Sequence, residues 1–159
     1  MSEILVWRLC ARRRETWAFT GEGAARRGGR WNSPGVRVIY CAESRSLAAL
    51  EVLVHADETA TLGAIEWICI PLVLPRRHLE IPPRVPDTWR QYPHTLATQE
   101  FGANWVRENR SAALRVPSAV VPGEFNFLIN PGHADFSEVK IGKAEPFTFD
   151  PRLVEPRGK

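Results

Sequence analysis

The eight residues from Leu47 to Val54 spell LAALEVLV, apolar at every position except Glu51. A helix that is apolar almost all round belongs inside a fold. The run therefore predicts a largely buried helix, opened by Ser44 or Ser46 as N-cap, around which the other elements must pack. It also poses a question about Glu51. A carboxylate left ionised and alone in an apolar setting is prohibitively costly, so Glu51 is paired, hydrogen-bonded or neutralised, or it lies at the edge of the apolar stripe and reaches water. Position alone leaves these readings open, because constrained carboxylates occur in structural pairs as well as in active sites.

The flanking sequence supplies mostly strands. Ile4 to Trp7 is apolar and β-prone and leads into a charged stretch at 11–15. Thr20 to Arg30, rich in glycine and arginine, reads as a loop, and Asn32 to Gly35 as a turn. Val36 to Cys41 then predicts a strand with Val36, Val38 and Tyr40 on one face. Further strands are predicted at 65–73, 114–121 and 126–129, with weaker ones near Val139 and Phe147. The segment from Pro75 to Pro93 holds five prolines and excludes a regular helix or a central strand. A second helix is predicted over 95–109, with Ala97, Phe101 and Trp105 on one face. Strands outnumber helices and do not alternate with them, which indicates an α+β class and not a doubly wound sheet.

At 159 residues and 44% hydrophobic content, the chain suits one globular domain over 1–149, followed by a polar tail at 150–159 that carries two prolines and is expected to fray. Cys10, Cys41 and Cys69 are an odd, widely spaced set without a C-x-x-C pair, so they read as buried reduced thiols and imply neither a disulfide framework nor a metal site. The opening MSEILVWRLC lacks the basic and apolar regions of a signal peptide. No stretch approaches a membrane span, so the cytoplasm is the expected compartment. The net charge of +3 lies at the front of the chain, where residues 1–30 carry seven Arg against three Glu. Such a surplus could meet nucleic acid or a small polyanion such as a dinucleotide, or could simply be solvated.

Arg30 ends the glycine-rich loop and is followed by Trp31-Asn32, which places a planar, two-pronged donor where backbone can approach a ligand closely. Such a fork suits a diphosphate. Read alone, Arg30 is more commonly one arginine among several in a solvated basic loop. Gly21 to Arg26 imitates the first part of a G-x-G-x-x-G fingerprint, but Arg26 stands where the third glycine is needed, so a Rossmann reading fails. Tyr40, at the end of its strand, is either a half-buried core residue or a ring that stacks on a flat ligand. The segment from Arg115 to Phe136 places Ser118, Asn126, Asn130, His133 and Asp135 in and around an otherwise apolar stretch, where polar side chains need partners. A Ser118-His133-Asp135 hydrolase could be assembled from it. However, no G-x-S-x-G elbow is present, and His133 and Asp135 stand too close in sequence to orient each other in the usual way.

Three segments together, GEGAARRGGRWNSPG (Gly21 to Gly35), YCAESRSLAALEVLVH (Tyr40 to His55) and VPSAVVPGEFNFLINPGHADF (Val116 to Phe136), resemble the RES-domain family, which is named for an Arg, a Glu and a Ser. The resemblance runs from about Trp7 to Ile141. It matches the arginine to Arg30, the glutamate to Glu51, the serine to Ser118 and an active-site tyrosine to Tyr40. Arg27 departs from the pattern, standing where an aromatic is frequent. The resemblance implies an ADP-ribosyltransferase-like α+β fold with a split central sheet and flanking helices, and a toxin that cleaves NAD+ at the nicotinamide–ribose bond. It further implies an Xre-like helix-turn-helix antitoxin as partner, and leaves room for a homodimer.

On that reading Glu51 would stabilise the oxocarbenium-like charge that forms as the glycosidic bond breaks, and would hold the ribose. Arg30 would clamp the diphosphate and Tyr40 would stack on nicotinamide. Ser118 would bond the ligand or orient a catalytic side chain, and Asn126 joins Arg30, Tyr40 and Glu51 in holding the dinucleotide. NAD+ is the substrate, with no metal or other cofactor implied. Two other outcomes fit the residues: transfer of ADP-ribose to a protein or to phosphate, and a non-enzymatic domain that binds nucleic acid through its N-terminal arginines. The second leaves Glu51 and the 116–136 segment without a role.

Overall fold

A computed structural model describes residues 2–156 of the chain, and its architecture is α+β. Strand β1 (Glu3–Ala11) runs further than its apolar start predicts, then passes through a 3-10 turn at Arg12–Trp17. The glycine-rich segment expected as a loop contains a short helix, α1 (Glu22–Arg27). Its C-cap, Gly28, has φ +74°, a conformation that strains any residue with a Cβ. Strand β2 (Ile39–Ala42) leads directly into α2 (Arg45–His55). Ser44 is the N-cap, its hydroxyl oxygen accepting the Leu47 N–H at 3.1 Å. A short α3 (Thr59–Leu62) and strand β3 (Trp67–Pro75) follow.

In the proline-rich segment the chain makes a 3-10 turn, a two-residue strand β4 (Leu79–Glu80), and then irregular backbone as far as α4 (Leu96–Arg107). Strands β5 (Ala113–Pro117), β6 (Phe125–Ile129), β7 (Lys140–Ile141) and β8 (Glu145–Phe147) complete the sheet, and α5 (Pro151–Val154) follows them.

The strand order is β4-β5-β6-β2-β1-β3-β7, with β8 also on β3. All pairings are antiparallel except β4 with β5, which α4 connects as a crossover. Two halves are visible in the ladder. β1 pairs with β3 along its whole length, and β2 pairs with β6 along its whole length, but β1 meets β2 at the single pair Trp7–Ala42. Where that ladder stops, Arg8 spans the gap, its Nη1 donating to the Tyr40 carbonyl at 3.1 Å and its Nε to the Ala18 carbonyl at 2.7 Å. This is a split central sheet with flanking helices, the architecture that the family resemblance implies.

Side chains alternate between the two faces of each strand, and that alternation sorts the core. Ile39 and Cys41 of β2, Ala113 of β5, and Phe127 and Ile129 of β6 pack on one face with Val6, Leu72 and Leu74. Val38, Leu114, Val116 and Leu128 pack on the other face, with Tyr40 against them and Trp31 and Trp105 covering them. By the same parity Tyr40, Asn126 and Ser118 belong to this second face.

Three further sequence expectations need correcting. Helix α2 is only half-buried: Leu47 and Ala48 are buried, whereas Leu50 and Val54 are exposed, because it packs on the central strands β1 and β2 with one flank only and leaves the other open. On α4 the buried face runs through Thr98, Gly102 and Trp105, and Ala97 is exposed. The helix turns its smallest residue, Gly102, toward the Trp31 backbone, which sets its rotation. The C-terminal residues 150–155, expected to fray, form a capped helical turn. Asp150 caps α5, and Val154 is buried against Leu62 and Phe149. The last three residues of the expected tail, 157–159, lie outside the described residues. Among the described residues no helix is long and apolar enough to cross a membrane.

Candidate active site

Glu51 projects from the half-exposed flank of α2, and its carboxylate is gripped rather than stranded. Its Oε1 accepts two hydrogen bonds, from Ser118 Oγ at 3.0 Å and from Asn126 Nδ2 at 2.7 Å. The buried Ser118 is fixed in turn: its oxygen accepts the N–H groups of Val120 at 3.1 Å and Val121 at 3.1 Å, so its one proton is directed to Glu51. Ser118 therefore orients the carboxylate, and its 1% exposure leaves no surface for a ligand. Asn126 is placed by register, since β6 sets it opposite Ala42 of β2, two residues before the α2 cap. Both bonds fall on Oε1, which leaves Oε2 directed away from this support.

Arg30 is half-buried, and its Nη1 donates to the carbonyls of Trp89 at 2.9 Å and Gln91 at 2.7 Å. The proline-rich segment thus forms a strap that steadies one nitrogen of the guanidinium, while the Nε–Nη2 edge retains a two-pronged donor. Burial lowers the Arg30 pKa, and the Glu51 carboxylate opposes that shift, which places the two charges in the same electrostatic neighbourhood. They form no salt bridge with each other among the described residues. The cation and the carboxylate are thus each held by supports of their own.

The ring of Tyr40 packs beside Trp31 and Leu128, but its hydroxyl is already engaged, donating to Asn32 Oδ1 at 2.6 Å and accepting the Trp31 N–H at 3.2 Å. Burial raises its pKa well above the ordinary tyrosine value, so the phenol stays protonated. Any contact with a ligand falls to the ring, which is only partly buried.

Sequence reasoning overlooked several neighbours. Asn32, read as a turn residue, is completely buried beneath the Arg30 loop. His55 Nδ1 donates to the Glu51 carbonyl at 2.7 Å, at the mouth of the site. His94, beside Gln99 at 3.2 Å, has its pKa lowered by burial and by the charges of Arg30 and His55. The strap carbonyls of Trp89 and Gln91 carry no sequence signal, because any residue offers a carbonyl.

Other candidates separate from this site. His133 Nδ1 accepts the Asp135 N–H at 3.0 Å as a cap, and Asp135 faces His78, so the described contacts assemble no Ser118-His133-Asp135 triad. Asn130 closes its own turn through the Gly132 N–H. All three cysteines are buried thiols, and burial pushes Cys41 up to about 12 and Cys69 up to about 11, which makes them inert. Of the N-terminal arginines, Arg8 fills the sheet split and Arg12 pairs with Glu66, while Arg26 and Arg27 adjoin Arg30 along the chain. Two open clefts, of about 590 and 330 Å3, lie elsewhere and include none of Arg30, Tyr40, Glu51, Ser118 or Asn126.

Comparison with known proteins bears on this geometry. The RES domain family model matches residues 5–150. The chain is 39% identical over 152 residues to "Toxin Res" of Yersinia enterocolitica, covering 94% of this chain and 99% of the relative. It is 37% identical over 153 residues to the "Prs ADP-ribosylating toxin" of a Sphingobium species, covering 93% and 95%. Among solved structures, a chain of the M. tuberculosis MbcT–MbcA toxin–antitoxin complex superposes with a TM-score of 0.73 at 18% identity, covering 97% of this chain and 88% of that one. At that identity the likeness shows a common fold.

Proposed function

This chain belongs to the RES domain family, and from that premise we propose that it is the toxin of a toxin–antitoxin pair, an enzyme that splits NAD+ at the bond between nicotinamide and ribose. The observation that carries this reading is the Glu51 carboxylate, held on one oxygen by Ser118 and Asn126 and set apart from a half-engaged Arg30. The Nε–Nη2 edge of Arg30 binds the diphosphate, and the ring of Tyr40 lies against nicotinamide. Oε2 of Glu51 accepts the ribose 2'-hydroxyl and faces the anomeric carbon.

As the glycosidic bond breaks, its electron pair leaves with nicotinamide, which departs neutral, and positive charge develops on the ribose. A fixed carboxylate stabilises that charge without reorganising. Water then adds to the anomeric carbon and loses a proton, giving ADP-ribose. Nicotinamide is already a good leaving group in NAD+, so these residues complete the reaction without a metal or a general acid.

A second reading, transfer of the ADP-ribosyl group to a protein side chain, is favoured by the name of the Sphingobium relative, an ADP-ribosylating toxin. One experiment separates them: purified protein incubated with NAD+, alone, with phosphate and with cell extract, and the products identified by mass. Free ADP-ribose in buffer supports hydrolysis. Mass added to a protein, or a phosphorylated ADP-ribose, identifies another acceptor, and intact NAD+ in every arm refutes the enzyme.

A further inference from the structure

The loop that presents Arg30 is short and glycine-rich, and several hydrogen bonds from buried groups hold it. Its turn is closed by the Gly29 N–H donating to the Asn32 carbonyl at 2.9 Å. The Asn32 side chain lies wholly inside the protein. Its Nδ2 donates to the carbonyls of Ala24 at 3.0 Å and Val36 at 3.0 Å, and Oδ1 accepts the Tyr40 hydroxyl at 2.6 Å. That hydroxyl then accepts the Trp31 N–H at 3.2 Å, so the chain is pinned at the residue after Arg30.

The packing leaves no slack around this hub. A Cβ on Gly29 would stand 2.7 Å from the Tyr40 hydroxyl and 3.0 Å from Asn32 Oδ1. On the opposite side α4 closes on the same loop, since a Cβ on Gly102 would stand 1.6 Å from the Trp31 carbonyl oxygen. Only an amide meets the demand at position 32, because one end must donate to two carbonyls while the other accepts a phenol. Aspartate has the same shape but donates nothing, and it would set a carboxylate against two carbonyl oxygens.

We propose that Asn32 is a positioning residue for the reaction, one that fixes the Arg30 guanidinium for the substrate's diphosphate through the hydroxyl of Tyr40 and the Trp31 backbone. This inference rests on the reading of Arg30 as the diphosphate ligand. It assigns Tyr40 two separable parts: a ring toward nicotinamide and a hydroxyl that never meets the ligand.

The test uses the full chain with Asn32→Asp, Tyr40→Phe and the double variant. Three quantities are measured: the Kd of ADP-ribose by calorimetry, inhibition of turnover by nicotinamide, and amide exchange at Trp31. Tyr40→Phe keeps the ring and its volume and is the variant least prone to misfold. Both single variants are expected to bind ADP-ribose about tenfold more weakly, the scale of one interaction lost from a binding site. Nicotinamide inhibition should be unchanged, KM for NAD+ should rise more than kcat falls, and Trp31 exchange should quicken. The double variant should be no worse than the weaker single, because both remove one unit.

Unchanged ADP-ribose affinity in both folded variants, or losses that multiply in the double, overturns the role while leaving the reaction standing. Loss of thermal stability alone, with KM intact, also overturns it. Wild-type protein that binds ADP-ribose but releases no nicotinamide refutes the reaction, and the Trp31 exchange and ADP-ribose arms then still decide whether Asn32 sets Arg30.

Discussion

Glu51→Gln removes one charge and almost nothing else, and the structure explains why. Both supporting bonds end on Oε1, donated by Ser118 and Asn126. A glutamine carbonyl oxygen in that place accepts the same two donors, so the new amide nitrogen occupies the position of Oε2, on the ligand side. The network and the helix survive while the field at the anomeric carbon is lost. A full charge about 4 Å from a developing cation is worth about 4 kcal/mol at an effective dielectric of about 20. Losing a preorganised electrostatic group costs about a hundredfold to a thousandfold in kcat. Nicotinamide release by Glu51→Gln, followed at saturating NAD+, is therefore expected to fall at least about a hundredfold, with unfolding temperature and ADP-ribose binding close to the parent. Near wild-type turnover in the folded variant would refute the assignment of Glu51, and loss of turnover together with loss of fold would refute the account of its support.

Arg30→Lys keeps the charge but gives up the planar fork, so NAD+ binding should weaken several-fold; a lysine variant with the parent's KM contradicts the diphosphate role. Gly102→Ala drives a methyl into the Trp31 carbonyl at 1.6 Å, and thermal melting should show a loss of about 3 kcal/mol or more, at or beyond the usual overpacking range, whereas a near-normal melt would mean that α4 does not clamp the loop. Expression of the chain alone should lower cellular NAD+ and arrest growth, with Glu51→Gln relieving both; arrest at constant NAD+ favours modification of a protein. An antitoxin that lays an acidic side chain or a C-terminal carboxylate against Arg30 should inhibit competitively with NAD+ and less at high salt. Enzyme assays of the purified complex across NAD+ and salt check this, and a complex with unchanged turnover contradicts it.

How legible this was in the sequence differs by element for physical reasons. The β2 strand, the Ser44 cap and α2 are local features, written in alternation, in a hydroxyl before a helical run, and in that run itself; the cap and helix appear where expected, whereas β2 forms only over Ile39–Ala42, three residues later than the expected start at Val36. Glu51 stands out because an apolar run isolates it. Its protection was not legible, since Ser118 and Asn126 lie 67 and 75 residues away and meet it only through sheet register. Helix α1 was hidden because glycine and arginine content argues for a loop, whereas the helix is only six residues long and is set by its flanking Gly21 and Gly28. The open flank of α2 and the rotation of α4 were likewise hidden, since hydrophobicity reports what could be buried but not which neighbour arrives to bury it.

The site draws its two halves from different structural sources, and this has a kinetic consequence. Tyr40, Ser118 and Asn126 inherit their placement from the parity of adjacent strands, a rigid frame that only a register shift would alter. Glu51 stands on the helix that β2 feeds directly, so the carboxylate and its donors form one body. Arg30 hangs on a turn whose position depends on a buried amide, a phenol and two strap carbonyls. Disturbing the strand-borne half changes charge stabilisation at the reacting carbon and should appear in kcat. Disturbing the loop-borne half shifts a group remote from the breaking bond and should appear first in KM, reaching kcat only insofar as diphosphate binding holds the ribose against Glu51.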